Sequence, residues 1–516
     1  MEELYDVIIV GAGPIGLFLA CELRLAGASV LVLERDAKPD APWKVDTLGR
    51  RGLNSVSLEA FHRRGLLDPL VQLSEASVHL EKTPWLSGKL SHVNEQPTAS
   101  EKPPPGPRIA GHFAGILLSL DKFDLKQFKY LLTERAESLG TTILRGHGFR
   151  RIVAQDDTGI TVEAGENSVS FRGRWLVACD GGRSTVRKAA GFDFVGTGPK
   201  FAGYVVDCEW TKHEKFTPGF HYCDGGAYSV APNTLYITDF EDGGAFDRTQ
   251  QVTQEHVQSI LDRMTGSPDA KITSWRHATT FTDQAMQVTS YRQGRVFIAG
   301  DAAHIHSPLG AQGLNLGIGD AINLGWKLAS SVRQEAKGLP ADLALLDTYG
   351  SERHPLGAWV LDWGRAQTLT LQPDPAGAAL RGVLRNLIRT TDGTTELIGH
   401  YWGLSHRCKL GDGKAHAHPL VGMSAPDFEF TDGSRLGPKL QSGRGLLVDF
   451  GDEAGLKELI AGHESRIDYI GMAAKNQCGL RALLLRPDGV VAWVAEEKGE
   501  SDMDAAIAAI KQWFRS

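Results

Sequence analysis

The stretch Val7-Ile8-Ile9-Val10-Gly11-Ala12-Gly13-Pro14-Ile15-Gly16 constrains the fold more than any other part of the chain. Its apolar, β-branched start reads as a parallel strand buried on both faces. A Gly-x-Gly-x-x-Gly turn follows at once, and residues 17–24 have the composition of a helix. A second apolar run, residues 28–33, ends in Glu34. Strand, glycine turn, helix and strand-terminal acid together make one complete βαβ dinucleotide-binding unit. Gly11 permits the tight turn, Gly13 lets the backbone approach a pyrophosphate, and Gly16 lets helix and strand pack closely. Pro14 and Ile15 open the helix whose positive N-terminus would receive the diphosphate. Glu34, followed by Arg35, would accept hydrogen bonds from ribose hydroxyls.

The rest of the composition excludes several classes. A length of 516 residues allows roughly two to four domains. Apolar and charged contents of 42% and 23% are those of a globular protein. A net charge of −7 without a dense basic patch gives no footprint for nucleic acid. The acidic first residues lack the basic region of a signal peptide, and glycines with Pro14 interrupt the first apolar stretch, so no membrane span is expected. Six scattered cysteines without a Cys-x-x-Cys point to no zinc site, no other metal and no redox dithiol. Reduced thiols fit a cytoplasmic protein.

Arg51, in a glycine-flanked segment before a helix predicted over 55–64, suits a phosphate contact or a solvated loop. Residues 76–110 are a proline-rich excursion. Spacing predicts a helix over 122–139, capped by Asp121 or Asp124, and then an antiparallel meander at 142–145, 149–154 and 160–162. A buried strand ends in Cys179-Asp180-Gly181-Gly182-Arg183, the kind of strand terminus where α/β sheets bind ligands. Residues 195–290 read as a mixed or antiparallel sheet that covers the first domain, with His221, Tyr222 and Tyr228 as candidates for substrate contact or for core and surface roles.

A second strong motif, residues 294–304, delivers Asp301 at a strand tip, where it can accept hydrogen bonds from a polyol. The glycine-rich run Pro308-Leu309-Gly310-Ala311-Gln312-Gly313-Leu314-Asn315 then leads to a long helix expected over 319–336. Its backbone N–H groups can stabilise a developing anion on a bound ring. His304 and His306 read as structural, and His416 with His418 as a solvated loop. Helices continue to about 406, and a linker starts at 411. Residues 420–516 form a β-α-β-β-α unit with a hairpin turn at Pro487-Asp488-Gly489.

The N-terminal glycine motif ending in Glu34, the Cys179-Asp180-Gly181-Gly182-Arg183-Ser184-Thr185-Val186-Arg187 stretch, and Gly300-Asp301-Ala302-Ala303-His304 followed by the Pro308 to Asn315 run resemble, in this order and spacing, the single-component FAD-dependent aromatic hydroxylases of the p-hydroxybenzoate hydroxylase fold. Ser351-Glu352-Arg353-His354-Pro355 and Arg486-Pro487-Asp488-Gly489-x-x-Ala492-Trp493 are similar to the branch that contains aromatic polyketide hydroxylases and rifampicin monooxygenase, with a thioredoxin-like C-terminal domain.

The resemblance implies an α/β architecture in three parts. A Rossmann-like FAD-binding domain would comprise 1–75, 111–190 and 286–410. A mixed β-sheet substrate domain would comprise 76–110 and 191–285, and the thioredoxin-like domain 411–516. It further implies that Gly11, Gly13, Pro14, Ile15 and Gly16 cradle the pyrophosphate, that Glu34 and Arg35 lie at the adenosine ribose, and that Arg51, Asp180, Arg183 and Asp301 contact the cofactor. Pro308, Gly310, Gly313, Leu314 and Asn315 would line the flavin ring. Where many relatives carry a Gln or Arg contact, this chain has Leu125, with Lys122, Lys126 and Gln127 nearby.

The implied activity is NADPH- or NADH-dependent insertion of one oxygen atom from O₂, through a flavin C4a-hydroperoxide, into a phenolic or polycyclic aromatic substrate. Baeyer–Villiger oxidation, antibiotic inactivation and a non-oxygenating flavin dehydrogenase remain alternatives. The protein is expected to be a monomer or homodimer, and its C-terminal domain an interaction module whose removal leaves FAD bound.

Overall fold

The computed structural model describes residues 4–39, 50–73, 120–241, 243–244, 250–410, 418–451, 454–497 and 503–515. The predicted excursion at 76–110 and His416 lie outside the described residues.

The glycine motif folds as its pattern requires. Strand β1 (Leu4–Val10) lies between β2 (Val30–Glu34) and β3 (Val169–Ala178), parallel to both. Helix α1 (Pro14–Leu25) makes the crossover from β1 to β2. Strand β4 (Val296–Ile298) adds to β3 in parallel, and Thr142–Arg145 adds to β2 in parallel. Thr142–Arg145 therefore belongs to the main sheet, not to the predicted meander. The helix Leu125–Ser138 returns the chain alongside β2, as a parallel connection requires. Only Phe149–Asp156 and Gly159–Ala164 form an antiparallel hairpin, which docks on β3. Residues 122–124 are likewise strand, because Leu120–Asp124 pairs with Arg50–Leu53, and the helix starts at Leu125.

Helix α2 (Gly313–Ala336) packs across α1 and starts earlier than its glycines predicted. Glycine lowers helix propensity, and here close packing overrides it. A Cβ on Gly317 would lie 2.7 Å from Ile15 Cδ1, and one on Gly325 would lie 2.5 Å from Glu22 Cβ. With Ala321 between them these residues make a small-residue stripe at four-residue spacing, which lets the two helix backbones approach. Helix α3 (Leu343–Leu371) follows.

The middle region is a five-stranded antiparallel sheet: Gly219–Cys223, Gly226–Ala231, Thr234–Asp239, Ala202–Trp210 and Ile272–Thr282, in that spatial order. The helix Gln254–Thr265 covers one face, over a core that includes Tyr204, Val206, Tyr228, Ile237 and Leu261.

The C-terminal sheet has the spatial order Ile467–Gly471, Gly445–Asp449, Leu480–Leu485, Val491–Glu496. Its first pair is parallel and the others antiparallel, as a thioredoxin-like unit demands. This unit is not the independent module expected from sequence. Its core incorporates Trp326 of α2 and Leu345 of α3. Arg486, fully buried at the hairpin, donates to both carboxylate oxygens of Glu352 on α3 at 2.9 and 2.8 Å, and pairs with Asp488. Lys327 lies 3.0 Å from Glu352, and Asn323 donates to it at 2.7 Å. Arg64 clamps Glu22 of α1 with two 2.7 Å bonds and also donates to the Leu440 and Pro487 carbonyls of the C-terminal unit.

Breaking such a pair leaves a buried charge unpaired. Arg486→Met is expected to cost about 3–5 kcal/mol of unfolding free energy, measured by urea titration of the full chain. A loss below about 1 kcal/mol would show that the hairpin lock carries no stability.

Candidate active site

The strand tips of the main sheet converge on one edge. Gly11 has φ +107°, and a Cβ there would sit 2.4 Å from the Cys179 carbonyl oxygen at the end of β3. A Cβ on Gly16 would lie 2.1 Å from the Gly11 carbonyl oxygen, so strand and helix need glycine at both places. Gly13 differs: an added Cβ meets nothing within 4 Å. Gly13 caps α1 without a side chain, and Pro14 occupies the first turn. Uncapped amides, including those of Ile15 and Gly16, therefore face open space, which is the arrangement a diphosphate fills.

Glu34 accepts the Ala12 N–H at 2.8 Å and the Asp36 N–H at 2.9 Å, which fixes its carboxylate beside the turn. Arg35 is exposed and reaches Asp36 at 3.1 Å. Arg51 sits on Arg50–Leu53, and its side chain lies outside the described atoms. Asp180 accepts the Thr185 and Val186 N–H groups with Oδ2 at 2.7 and 3.2 Å. Its buried Oδ1 has no partner among the described residues. Arg183 is exposed. The neighbouring Arg187, which sequence reasoning passed over, bridges two motifs: it donates to the Ala302 carbonyl at 2.8 Å and the Gly182 carbonyl at 2.9 Å.

Asp301 is exposed on a short turn after β4. Its Oδ1 lies 3.8 Å from a Cβ built on Gly313, and His306 Nε2 lies 3.1 Å from the same point. Two motif segments thus meet at the start of α2. His304 is fully buried, and its Nε2 lies 2.8 Å from Asp320 Oδ2, the structural role expected of it. Asp320 also accepts the Gly300 N–H at 3.1 Å and the Arg353 Nε–H at 2.8 Å. Burial pushes its carboxyl upward, but Arg353 and His304 together hold it below the usual carboxylate range. Burial lowers the His306 imidazole.

Pro308–Gly310 is a short turn capped by Ser307. Gln312 offers α2 no side-chain cap. The N–H groups of Gly313, Leu314 and Asn315 precede the first intrahelical bond, from Leu316 N–H to the Gln312 carbonyl at 2.8 Å. The Asn315 side chain ties down the Arg51 segment, accepting the Asn54 N–H at 2.9 Å and donating to the Gly52 carbonyl at 3.3 Å. Its side chain is thus a brace, while its amide belongs to the open helix terminus.

The substrate candidates separate. Tyr228 is buried under the Gln254–Thr265 helix and donates to the Lys215 carbonyl at 2.9 Å. His221 stacks on it with ring centroids 4.8 Å apart and has Nε2 2.7 Å from the Thr217 carbonyl. Tyr222, one residue along the strand, points to the opposite face, where Arg381 lies 4.2 Å from its ring. Burial raises the Tyr222 phenol. Leu125 packs against the main core, so it offers no polar replacement for the contact it stands for.

Sequence reasoning also missed an aromatic wall on α3. Trp359 stacks on Trp363 at 5.4 Å and on His400 at 4.4 Å. His406 meets Trp359 edge-on at 5.8 Å. Isolated aromatics at helical spacing carry no signal of the site they border.

The family described as "FAD binding domain" matches residues 4–364, and "Aromatic-ring hydroxylase, C-terminal" matches residues 418–516. The chain belongs to the FAD-binding aromatic-ring hydroxylases. A protein of Claviceps purpurea named monooxygenase is 45% identical over 99% of this chain and 97% of its own length. The 12-dehydrotetracycline 5-monooxygenase/anhydrotetracycline 6-monooxygenase of Streptomyces rimosus is 35% identical over 99% of both. The solved anhydrotetracycline hydroxylase OxyS of Streptomyces rimosus is similar over 100% of both chains, with a TM-score of 0.83 and 32% identity. This hydroxylase is a flavin monooxygenase, and the open cradle at Gly13 with uncapped helix termini on α1 and α2 fits FAD.

Two outcomes follow. Gly13→Ala is expected to fold, since its methyl meets no atom, yet to lose bound flavin. Gly16→Ala is expected to lose both. Circular dichroism and flavin absorbance of the purified variants separate these. Burial also pushes the His406 imidazole down to about 3. An unfolded histidine protonates near pH 6.5, so between about pH 6.5 and 3 the unfolded state binds the extra proton and stability falls with pH. His406→Leu should flatten that acid arm, by up to about 2 kcal/mol at pH 5 in urea titrations.

Proposed function

We propose that this hydroxylase takes electrons from NADPH or NADH and places one oxygen atom of O₂ on a phenolic, polycyclic aromatic substrate. The observation that carries the reading is the open N-terminus of α2, where the amides of Gly313, Leu314 and Asn315, without a partner among the described residues, lie beside the exposed Asp301. Relatives named for tetracycline-type substrates, similar along the whole chain, support the substrate class.

FAD, when bound, supplies hydride acceptance from the nicotinamide and activation of O₂. The chain's own contributions are positional and electrostatic. Gly13 and the first turn of α1 would hold the diphosphate, Glu34 the adenosine ribose, and Asp301 the polyol chain. Arg51, Asp180 and Arg183 would complete the cofactor contacts. The α2 amides, preorganised and without a side-chain cap, would stabilise negative charge on the bound ring. Pro308 and Gly310 shape the turn on which substrate would rest. The five-stranded sheet would help to exclude water from an oxygenating site. Tyr222, on the face away from the covering helix, is the sheet residue retained for substrate contact; Tyr228 belongs to the helix-side core and His221 stacks on it. The described residues contain no helix long and apolar enough to cross a membrane.

Reduced-nicotinamide oxidation by the flavin-loaded protein, against a panel of phenols and polycyclic hydroxyquinones, tests this. Oxygen uptake and product mass are recorded together. Substrate-stimulated uptake with a product one oxygen atom heavier is the expected result, and its ring connectivity separates hydroxylation from ring insertion. Equal turnover without oxygen, with an artificial electron acceptor, would overturn the oxygenase reading.

A further inference from the structure

Helix α3 passes over the Pro308–Gly310 turn, and two of its side chains border Gly310. A Cβ built on Gly310 would lie 3.3 Å from Trp363 Cδ1 and 3.3 Å from Gln367 Oε1. Trp363 Nε1 and Gln367 Oε1 are both buried, and neither has a hydrogen-bond partner among the described residues. Positions 363 and 367 are one helical turn apart, so both atoms look toward the same turn of chain. Buried polar atoms are normally paired, and an unpaired pair of them at a ligand site calls for a ligand. The chemistry of the two is complementary: an indole N–H can only donate, and an amide oxygen can only accept. Stacked Trp359 and His400 continue the wall from Trp363, which suits a flat ring system.

We propose that Trp363 and Gln367 are specificity-determining residues that read one edge of the substrate. Trp363 donates to a ring carbonyl, and Gln367 accepts from a hydroxyl next to it. The ligand class so selected is a planar ring system with a keto oxygen and a hydroxyl side by side on one edge, as in a peri-hydroxyquinone. A site built to pair such groups rejects an analogue that lacks them, because its own buried atoms are then left unpaired. The inference rests on the oxygenation of a planar aromatic proposed above and specifies what that substrate must present.

The test is equilibrium dialysis of the FAD-loaded full chain with 1,8-dihydroxyanthraquinone and, as the comparator without hydroxyls, anthraquinone. Wild type is expected to bind the hydroxylated compound about tenfold more tightly. Gln367→Leu should erase most of that ratio, whereas Trp363→Phe, which keeps the ring and loses the N–H, should weaken both compounds by about tenfold, since both carry the carbonyl it donates to. FAD content should stay unchanged in both. Gln367 Oε1 has no partner to lose among the described residues, so Gln367→Leu should melt at or above the wild-type temperature, whereas a structural role would lower it. An unchanged ratio in Gln367→Leu, undiminished binding of both compounds by Trp363→Phe, equal binding of both compounds by wild type, no binding of either, or loss of FAD in the variants would each overturn the assignment. Failure of the oxygenase reading has a different signature: no phenol stimulates oxygen uptake by wild type, whatever the binding ratios.

Discussion

Two adjacent residues on α3 bind two different parts of the molecule, and the rest of the structure is referred to them. Neighbouring helix positions point about 100° apart, so Glu352 and Arg353 cannot serve one partner. Glu352 turns to Arg486 of the C-terminal hairpin, and Arg353 turns to Asp320 of α2. Arg353 also donates to the Leu316 carbonyl at 2.8 Å, one turn nearer the cofactor end of α2. Asp320 passes the constraint on to the Gly300 N–H and to His304, which flank Asp301. The carboxylate proposed to hold the flavin polyol and the C-terminal unit are thus positioned from one point of one helix. Buried ion pairs add little net stability over apolar packing of the same volume. Their directional geometry explains their presence here better than any stability they add.

The parts of this arrangement that were legible in the sequence are those set by local chain geometry. A strand that ends in a glycine turn and opens a helix has few folded solutions, and β1, α1 and β2 adopted the expected one. Asp301 could be placed at a strand tip for the same reason. Asp320 could not be found, because a lone aspartate inside a helix looks the same whether it faces water or a buried guanidinium. Glu352 and Arg353 stood out only as part of a segment shared with a known branch, without a visible role. Their partners lie 134 and 33 residues away in sequence, beyond any local pattern.

Where expectation and structure part, tertiary packing outweighed local preference. The glycines that put the start of α2 six residues too late are there to admit Ile15 and Glu22. Which face of Gly219–Cys223 would lie toward the covering helix was not legible, so His221 and Tyr222 could not be told apart. The C-terminal unit has one strand more than predicted, Ile467–Gly471, and its composition gave no hint that it shares a core with α2 and α3. A hairpin turn normally exposes its polar residues, whereas Asp488 is buried, accepting from Arg486 and from the indole N–H of Trp326 at 3.2 Å.

Helix α2 shows why so many polar groups are buried. One stripe of it, Gly317, Ala321 and Gly325, lies on α1. Another, Leu316, Asp320, Asn323 and Lys327, faces α3 and the C-terminal hairpin at three- and four-residue spacing. A helix enclosed on both sides by apolar contacts alone could rotate about its axis by a fraction of a turn with little change in buried area, because the hydrophobic effect is non-directional. Hydrogen bonds and ion pairs tolerate no such rotation, since they weaken steeply with angle. The polar stripe therefore sets the rotation of α2, and with it the direction in which the first-turn amides of Gly313, Leu314 and Asn315 point. A cofactor whose charge is stabilised by those amides needs that direction fixed before it binds, because electrostatic stabilisation is effective only when the dipoles are already in place.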